Sequence, residues 1–412
     1  MNVCMLSYSI YDFDNRVMRY AETLAGRGDS VDVIALRHKE DSHAEVVKGV
    51  NVFRIQERSQ PESGQLRYIL RVLLFFVRAT VFLSRKQLTR RYQLVHVHSV
   101  PDCMVFAAWL PKLMGSKIIL DIHDILPEFY ASKFKALPHS LTFKLLLLVE
   151  KLSAAFADHV IVANHLWRDK LVSRSVPATK CSAILNFPDR SIFSCRGRTR
   201  DDGRFIMMYP GTLNSHQGVD TAIRALALIK REEPRAEFHI YGNGRTRDAL
   251  VELTRELGVD RHVFFNDPLP LRQIAEVMEN ADLGIVPKRS DTFGNEAFST
   301  KILEFMALRV PVIVADTKVD RYYFDNSRVA FFKSNDERDL AGRMLELIRG
   351  RERRQQLVRN AWEFVCQNDW EQNGPRYLDL IRSLLARRLS TDTQYLAEPS
   401  ASSATSSRIS RQ

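Results

Sequence analysis

Cysteine is scarce in this chain, and no apolar run is long. The 412 residues include five scattered cysteines. Their odd number and the lack of a C-x-x-C pair argue against a disulfide framework and against a zinc site. No stretch of about 20 residues is free of charge, which argues against a membrane-spanning helix. The chain starts directly in a strand pattern, so we expect no signal peptide and a cytoplasmic location.

A complete glycine fingerprint for dinucleotide binding is also missing. Tyr241-Gly-Asn-Gly244 follows a predicted strand, but Arg247 stands where the third glycine belongs. This argues against an NAD-dependent oxidoreductase. The net charge of +11 favours either an anionic partner or simply a basic, soluble surface. No nucleic-acid recognition module is present, so we expect no nucleic acid partner.

What the chain does contain is a repeated alternation of short apolar strands and amphipathic helices. Residues 3–7, 17–27 and 31–36 read as strand, helix and strand, which predicts a parallel sheet. After a polar segment the alternation restarts, with strands predicted at residues 205–209, 237–241, 263–265, 283–287 and 311–315. We therefore predict an α/β chain of two Rossmann-like, doubly wound domains that face a central cleft.

The composition also predicts where these units begin and end. We assign residues 1–194 to a first Rossmann-like domain, 195–203 to a linker and 204–365 to a second Rossmann-like domain. Residues 366–388 are predicted to be a helical segment that packs back on the first domain. The segment 389–412 is rich in Ser, Thr and Ala, has little to bury and is predicted to be disordered.

Two glutamates, Glu296 and Glu304, flank a predicted helix start at Ser299 or Thr300. Such a start exposes unpaired N–H groups and suits a diphosphate. Lys301 is unfavourable for the helix dipole there unless an anion binds nearby. A capping box needs Glu three residues after the cap, and Glu304 does not fit that spacing. A solvated surface glutamate remains an alternative.

The segment Glu296-Ala-Phe-Ser-Thr-Lys-Ile-Leu-Glu304-Phe-Met-Ala, followed by Pro311-Val, resembles the signature of the retaining glycosyltransferase family four, of GT-B fold. Within this family it resembles the subgroup that acts in the assembly of bacterial cell-surface polysaccharides. The resemblance implies that Glu296 approaches the donor sugar, that Glu304 binds the ribose and that Lys301 contacts phosphate. It also implies that neither metal nor cofactor is needed. The family usually has glycine where this chain has Arg309, so we expect a different turn there.

Other strand ends resemble the donor-binding loops of the same family. Tyr209-Pro-Gly-Thr-Leu-Asn-Ser-His-Gln-Gly218 resembles the glycine-containing donor loop, and Tyr241-Gly-Asn-Gly244 resembles a turn near the base and phosphate. As bare chemistry both are equally compatible with tight strand-to-helix turns. The residues expected to bind donor besides Glu304 and Lys301 are Gly211, Thr212, Gln217, Gly242, Gly244, Ala297, Phe298, Ser299 and Thr300.

In the first half, His123-Asp124-Ile-Leu-Pro-Glu128 ends a strand, where parallel sheets place ligands. It resembles the family element whose histidine faces the donor sugar, so His123 joins Glu296 as a candidate catalytic residue. Asp124 and Glu128 are acceptor-side candidates, and a structural histidine in a turn is the alternative. Arg16 is predicted to meet an acidic or phosphorylated group of donor or acceptor.

A long helix predicted over residues 66–91 combines apolar residues with one stripe of arginines. Arg67, Arg71, Arg78 and Arg85 fall on one side at about 100° per residue. Such a helix can lie in an anionic bilayer interface, arginines toward phosphates. The alternative is a core helix with one solvated side. We expect peripheral binding to the inner face of the plasma membrane.

Together these features predict transfer of a sugar from a nucleotide-diphosphate sugar to a glycan hydroxyl, on a polyisoprenoid-diphosphate-linked acceptor. His96 and His98 share one strand face, but no further metal ligand is near in sequence, so we expect no metal site. Two alternatives stay open: a nucleotide-sugar epimerase of the same fold, and a non-catalytic subunit of a polysaccharide-assembly complex.

Overall fold

The computed structural model describes residues 1–58, 65–134, 140–291 and 293–395. Its first half alternates strands and helices as predicted. In chain order the elements are β1 (Asn2–Ile10), α1 (Asn15–Gly26), β2 (Ser30–Arg37), β3 (Ala44–Val47), β4 (Val50–Glu57), α2 (Gln65–Arg90), β5 (Leu94–His98), α3 (Trp109–Leu113), β6 (Lys117–Ile122), α4 (Leu126–Phe134), α5 (Leu141–Phe156), β7 (His159–Val162), α6 (His165–Arg174) and β8 (Cys181–Ala183).

These strands form one sheet in the order β3-β4-β2-β1-β5-β6-β7-β8. All pairs are parallel except the β3–β4 hairpin at the edge, which the sequence analysis did not predict. The strand order reverses between β1 and β5, because β1 pairs with both β2 and β5. Ligands of doubly wound sheets bind beside the carboxyl ends of the strands at such a reversal.

The second half repeats the pattern, after a segment without regular structure at residues 194–204. Its elements are β9 (Phe205–Pro210), α7 (Val219–Ile229), β10 (Ala236–Tyr241), α8 (Arg247–Glu256), β11 (Val263–Asn266), α9 (Leu271–Glu279), β12 (Leu283–Val286), α10 (Thr300–Ala307), β13 (Val312–Ala315), α11 (Lys318–Tyr323), β14 (Ala330–Phe332), α12 (Glu337–Arg349), α13 (Arg351–Gln367) and α14 (Trp370–Tyr395). The sheet order is β11-β10-β9-β12-β13-β14, so the reversal lies between β9 and β12.

Helices cover both faces of the first sheet. One core joins the sheet to α2, α5 and α6, through residues such as Phe75, Ala154 and Trp167. The core on the other face joins it to α1 and α14, through residues such as Leu24 and Tyr377. Strands buried on both faces need apolar side chains throughout, which is why their sequences are continuous rather than alternating.

The C-terminal helix α14 returns to the first half of the chain. The Trp370 indole donates a 2.7 Å hydrogen bond to the Thr23 hydroxyl on α1. This helix extends to Tyr395 and so enters the segment 389–412 for which disorder was predicted, while residues 396–412 lie outside the described residues. None of the described helices combines the length and apolar character needed to cross a bilayer.

Candidate functional site

A cleft of about 590 Å³ lies where the two halves of the chain face each other. It receives side chains from both halves of the chain, from the first sheet and its loops on one side and from the start of α10 on the other. The lining residues are Ser9, Ile10, Phe13, Asp14, Asn15, Arg16, His38, Arg58, His123, Asp124, Ala163, Trp167, Asn186, Phe298, Thr300 and Glu304. Six predicted site residues, far apart in sequence, therefore share one cavity: Arg16, His123, Asp124, Phe298, Thr300 and Glu304.

The start of α10 forms the second-half wall of this cleft. Ser299 is its N-cap residue, with extended backbone, and its own side chain caps no N–H group. Within the described residues, the buried Ser299 hydroxyl has no hydrogen-bond partner. The first turn of α10 therefore keeps N–H donors that an anion at the cleft can use.

Glu304 and Lys301 lie together in the first turns of α10. Burial raises the pKa of Glu304 and is opposed by the charge of Lys301 and by a hydrogen bond from Thr300. Burial also lowers the pKa of Lys301, and the charge of Glu304 opposes that shift. The Lys301 ammonium lies 5.5 Å from the centre of the Tyr209 ring. A carboxylate and a cation are thus held close to the helix start.

Lys301 also packs against the predicted donor loop after β9. A Cβ atom at Gly211, whose φ is +135°, would lie 2.4 Å from Lys301 Cε, so no larger residue fits without movement of the lysine. Thr212 is exposed, and Gln217 Nε2 lies 3.1 Å from His216 Nε2. Lys301 and Gly211 thus lie close together. Thr212 and Gln217 are not among the residues that line the cleft.

The glycines after β10 serve close packing between two backbones. A Cβ atom at Gly242 would lie 1.9 Å from the Gly211 carbonyl oxygen, and one at Gly244 would lie 2.2 Å from the Leu213 carbonyl oxygen. The Leu213 N–H donates a 3.0 Å hydrogen bond to Asn243 O across the same contact. This geometry supports the tight-turn interpretation of both glycines, and their contact with donor stays a prediction.

Gly244→Ala is expected to lower the free energy of unfolding by about 1–3 kcal/mol, because the added methyl overlaps fixed backbone. Gly342→Ala is the matched control, since nothing lies within 4 Å of a Cβ at this position of α12. Alanine should be neutral or slightly stabilising there, because it favours helix over glycine. Urea denaturation of both variants measures the difference, and equal stabilities would contradict the packing argument.

Glu296 meets the first half of the chain. Its carboxylate forms an ion pair with Lys170 of α6, and its carbonyl oxygen accepts a 3.0 Å hydrogen bond from Asn164. The neighbouring Ala297 carbonyl accepts a 2.6 Å hydrogen bond from Lys288. Glu296 is not among the residues that line the cleft. Its approach to a donor sugar stays a prediction, and in this structure the carboxylate joins the two halves.

His123 contacts a buried cluster of polar side chains that is centred on Asp121. Both Asp121 carboxylate oxygens accept 2.8 Å hydrogen bonds from Arg16. One of these oxygens also lies 3.3 Å from His98 Nδ1 and 3.4 Å from His123 Nε2. Although burial raises the pKa of Asp121, the charges of Arg16 and His123 outweigh it, and the pKa lies well below its usual range.

The same cluster reaches the C-terminal helix. His96 Nδ1 lies 2.9 Å from the Tyr377 hydroxyl of α14. Arg16 and His123 were predicted from the sequence as site residues, whereas Asp121 was not. A usable signal was present, since residues i and i+2 on a strand share a face, which places His96 with His98 and Asp121 with His123.

Arg16 therefore has an acidic partner inside the protein while it also lines the cleft, and its contact with donor or acceptor stays a prediction. Its remaining NH1 group donates a 2.8 Å hydrogen bond to Ile184 O. His96, His98 and Asp121 also lie close enough to hold a metal ion. The Arg16 guanidinium engages both carboxylate oxygens and adds a positive charge beside them, so the cluster suits an ion pair better than a cation.

Opposite pKa shifts are expected for two neighbouring histidines of this cluster. Burial lowers the pKa of both, but the charge and hydrogen bond of Asp121 reverse the shift at His123, whose pKa is raised, and not at His98. Protonated His123 thus stabilises the fold below the ordinary histidine pKa, and this contribution is lost as pH rises through the raised value. NMR titration should find His123 above and His98 below the ordinary value. The reverse order would contradict this assignment.

The two acceptor-side candidates, Asp124 in the loop before α4 and Glu128 in α4, have different surroundings. Asp124 lines the cleft, and burial raises its pKa. Glu128 is buried instead against Arg174, with hydrogen bonds of 2.5 and 3.0 Å, and lies 3.6 Å from Lys170. The Glu128 carboxylate is thus engaged within the protein, outside the residues that line the cleft.

The turn at Arg309 is one that glycine would also make. Arg309 has a φ of +58°, in the left-handed region. Its guanidinium carbon lies 4.5 Å from the centre of the Trp362 ring, which compensates part of the backbone cost. The sequence predicted a different turn at Arg309. The backbone there nevertheless adopts the left-handed conformation that glycine favours.

Comparison with known proteins agrees with this architecture. The family model described as "Glycosyl transferase 4-like domain" matches residues 14–186, and the one described as "Glycosyl transferases group 1" matches residues 196–364. The D-inositol 3-phosphate glycosyltransferase of Nocardia farcinica is 26% identical over 191 residues, which are 44% of this chain and 41% of that protein. The matched segments cover 41% and 42% of the length of the first two curated relatives, so the chain spans about two fifths of each.

Two solved structures share the fold. Sucrose-phosphate synthase from Thermosynechococcus elongatus is similar with a TM-score of 0.78 and 18% identity, covering 94% of this chain and 100% of that one. Anabaena HepE in complex with UDP and glucose is similar with a TM-score of 0.71 and 16% identity, covering 93% and 100%. Two glycosyltransferase family models thus match successive parts of the chain, and the chain has the GT-B fold that the similar solved structures share.

Proposed function

We propose that this chain transfers a glycosyl unit from a nucleotide-diphosphate sugar to a hydroxyl group of a glycan. The observation that carries the proposal is the α10 start, where Thr300 and Glu304 face His123 across one cleft. The second half would bind the donor, and the first half the acceptor. Structures of Anabaena HepE with UDP and with UDP-glucose support a nucleotide sugar as the donor.

In the proposed reaction, the bond between the anomeric carbon and the diphosphate breaks, and the nucleoside diphosphate leaves with the bonding electrons. The acceptor oxygen forms the new bond and releases its proton to the leaving phosphate or to solvent. The α10 N–H groups and Lys301 offset the developing charge without a metal, because preorganised dipoles and cations act strongly in a cleft. Glu304 would accept hydrogen bonds from the ribose hydroxyls.

His123 would face the sugar from the opposite wall, with Asp121 as its positioning residue. Asp124 is the acceptor-side candidate that lines the same cleft. The proposal includes retention of the anomeric configuration, supported by the resemblance of the Glu296–Glu304 segment. It also includes a polyisoprenoid-diphosphate-linked acceptor in surface polysaccharide synthesis, at the inner face of the plasma membrane.

A panel of nucleotide sugars, screened by thermal shift, tests donor binding first. The best donor is then incubated with and without lipid-diphosphate acceptors, and NMR identifies the product and its anomeric configuration. Transfer with retention is expected. Conversion of the donor into its epimer without acceptor would instead indicate the isomerase, and no donor binding or turnover would indicate a non-catalytic subunit. An inverted product would contradict retention alone.

A further inference from the structure

Three neighbouring helices of the first half, α2, α3 and α5, expose large apolar side chains on their outer surfaces. The core on this face of the sheet contains Phe75 and Leu83 of α2 and Ala154 of α5, so α2 and α5 cover the same side. The short helix α3 contacts α2 directly. The large apolar side chains exposed on these helices and directly after α3, here called the apolar face, are Tyr68, Ile69, Leu70, Leu73, Leu74, Val77, Val81, Leu88, Trp109, Leu113, Met114, Leu141, Leu145, Leu148 and Leu152.

On α2 the apolar face points directly away from the core. Phe75, Ala79 and Leu83 are fully buried, whereas Leu70 and Val77 are 55% and 51% exposed. At about 100° per residue these two sets lie on opposite sides of the helix. The predicted arginine stripe lies to one side of the exposed apolar residues. The helix therefore differs from a core helix with one solvated polar side.

Helix α5 repeats this arrangement with leucines. Leu141, Leu145, Leu148 and Leu152 follow the spacing of a single helix stripe and are 84%, 57%, 50% and 52% exposed. Ser153 and Ala154 on the opposite side are buried. A stripe of four exposed leucines, on the side of the sheet that α2 also covers, is more than a soluble surface needs and marks an interaction site.

The charges around the apolar face have one sign. Glu150 is the only acidic residue within α2, α3 and α5, and it is buried with its carboxylate bonded to Arg174. Exposed cations border the leucines; they are Arg67, Arg78, Arg85, Arg90, Lys144 and Lys151. Arg71 of the predicted stripe is half-buried. Apolar side chains bordered by cations alone complement an anionic bilayer, with leucines in the acyl region and cations at phosphates.

We propose that the apolar face docks this protein on an anionic membrane and inserts the α3 and α5 side chains, as well as α2, into the bilayer interface. A second copy of this chain is a poorer occupant, because a symmetric contact would bring the two sets of cations together. Helices α2 and α5 begin at the carboxyl edge of the sheet, where the cleft lies, since they connect parallel strands. Docking would therefore hold the cleft near the membrane. The benefit of this position for transfer rests on the proposed function, whereas docking itself does not.

Vesicle flotation tests docking with the full chain. The vesicles are phosphatidylcholine alone or mixed with phosphatidylglycerol. The variant Leu145→Gln/Leu148→Gln should lower partitioning to the mixed vesicles by roughly tenfold or more, because each leucine leaves the apolar phase. The variant Arg78→Gln/Arg85→Gln should reduce the preference for phosphatidylglycerol, as should high salt with the native protein. Leu228→Gln is the matched control, since this leucine of α7 is 51% exposed in the other half.

Failure of docking is distinguishable from failure of the proposed transfer. Absence of vesicle binding by the native protein, or equal binding by the Leu145→Gln/Leu148→Gln and Leu228→Gln variants, would overturn docking. Sedimentation of a native dimer that the double leucine variant dissociates, without vesicle binding, would assign the face to self-association instead. All variants should keep the thermal shift with nucleotide sugar. Vesicle binding without transfer would overturn only the proposed function.

Discussion

Asp121→Asn is expected to lower the free energy of unfolding by about 3–5 kcal/mol, because it leaves a buried guanidinium without its counter-charge. The Arg16 side chain is 3% exposed and the Asp121 side chain is fully buried. The pKa of Asp121 is lowered in the folded state. Its charge therefore stabilises the fold above the ordinary aspartate pKa, and this contribution is lost as pH falls through the lowered value. Urea denaturation at neutral and acidic pH measures both effects.

A double-mutant cycle provides the control. Arg16→Met/Asp121→Asn should cost clearly less than the sum of the two single changes, because neither buried charge then lacks a partner. Additive costs would contradict the ion-pair argument. In Asp121→Asn, provided that it folds, NMR should find the His123 pKa lowered, since the carboxylate that raises it is gone. An unchanged His123 pKa would remove Asp121 as its positioning residue.

Glu304→Gln is expected to weaken nucleotide-sugar binding by roughly 10- to 100-fold, the effect of losing hydrogen bonds to a charged acceptor. Stability should change little, because burial disfavours the charged form of Glu304 and raises its pKa. In the native protein, donor affinity should therefore fall as pH drops through this raised pKa, and the variant should lack that dependence. Calorimetric titration with the best donor over a pH series measures both.

Glu363→Gln is the matched control, because this glutamate is exposed on α13 and is not among the residues that line the cleft. It should bind donor as the native protein does. If Glu304→Gln folds and binds donor with native affinity at every pH, Glu304 does not hold the ribose. The proposed donor site would then have to move away from the start of α10.

Local sequence patterns predicted the elements that position the site. Continuous apolar runs predicted strands at residues 31–36, 205–209 and 237–241, where the structure shows β2 (Ser30–Arg37), β9 (Phe205–Pro210) and β10 (Ala236–Tyr241). The Ser299-Thr300 pair predicted the start of α10, because N-cap chemistry depends only on neighbouring residues. Short edge elements such as the β3–β4 hairpin were not predicted, because their stability comes from pairing with a sheet that local patterns do not reveal.

The sequence by itself determined the two doubly wound units, the helix start with its lysine and glutamate, and the resemblance to a glycosyltransferase family. Only the tertiary structure decided the partners of charged groups. Arg16 meets Asp121 across 105 positions, and Lys170 meets Glu296 across 126. The tertiary structure also decided that the leucines of the apolar face on α2 and α5 are exposed. Helical periodicity identifies a stripe, whereas the packing of distant elements determines whether that stripe is covered.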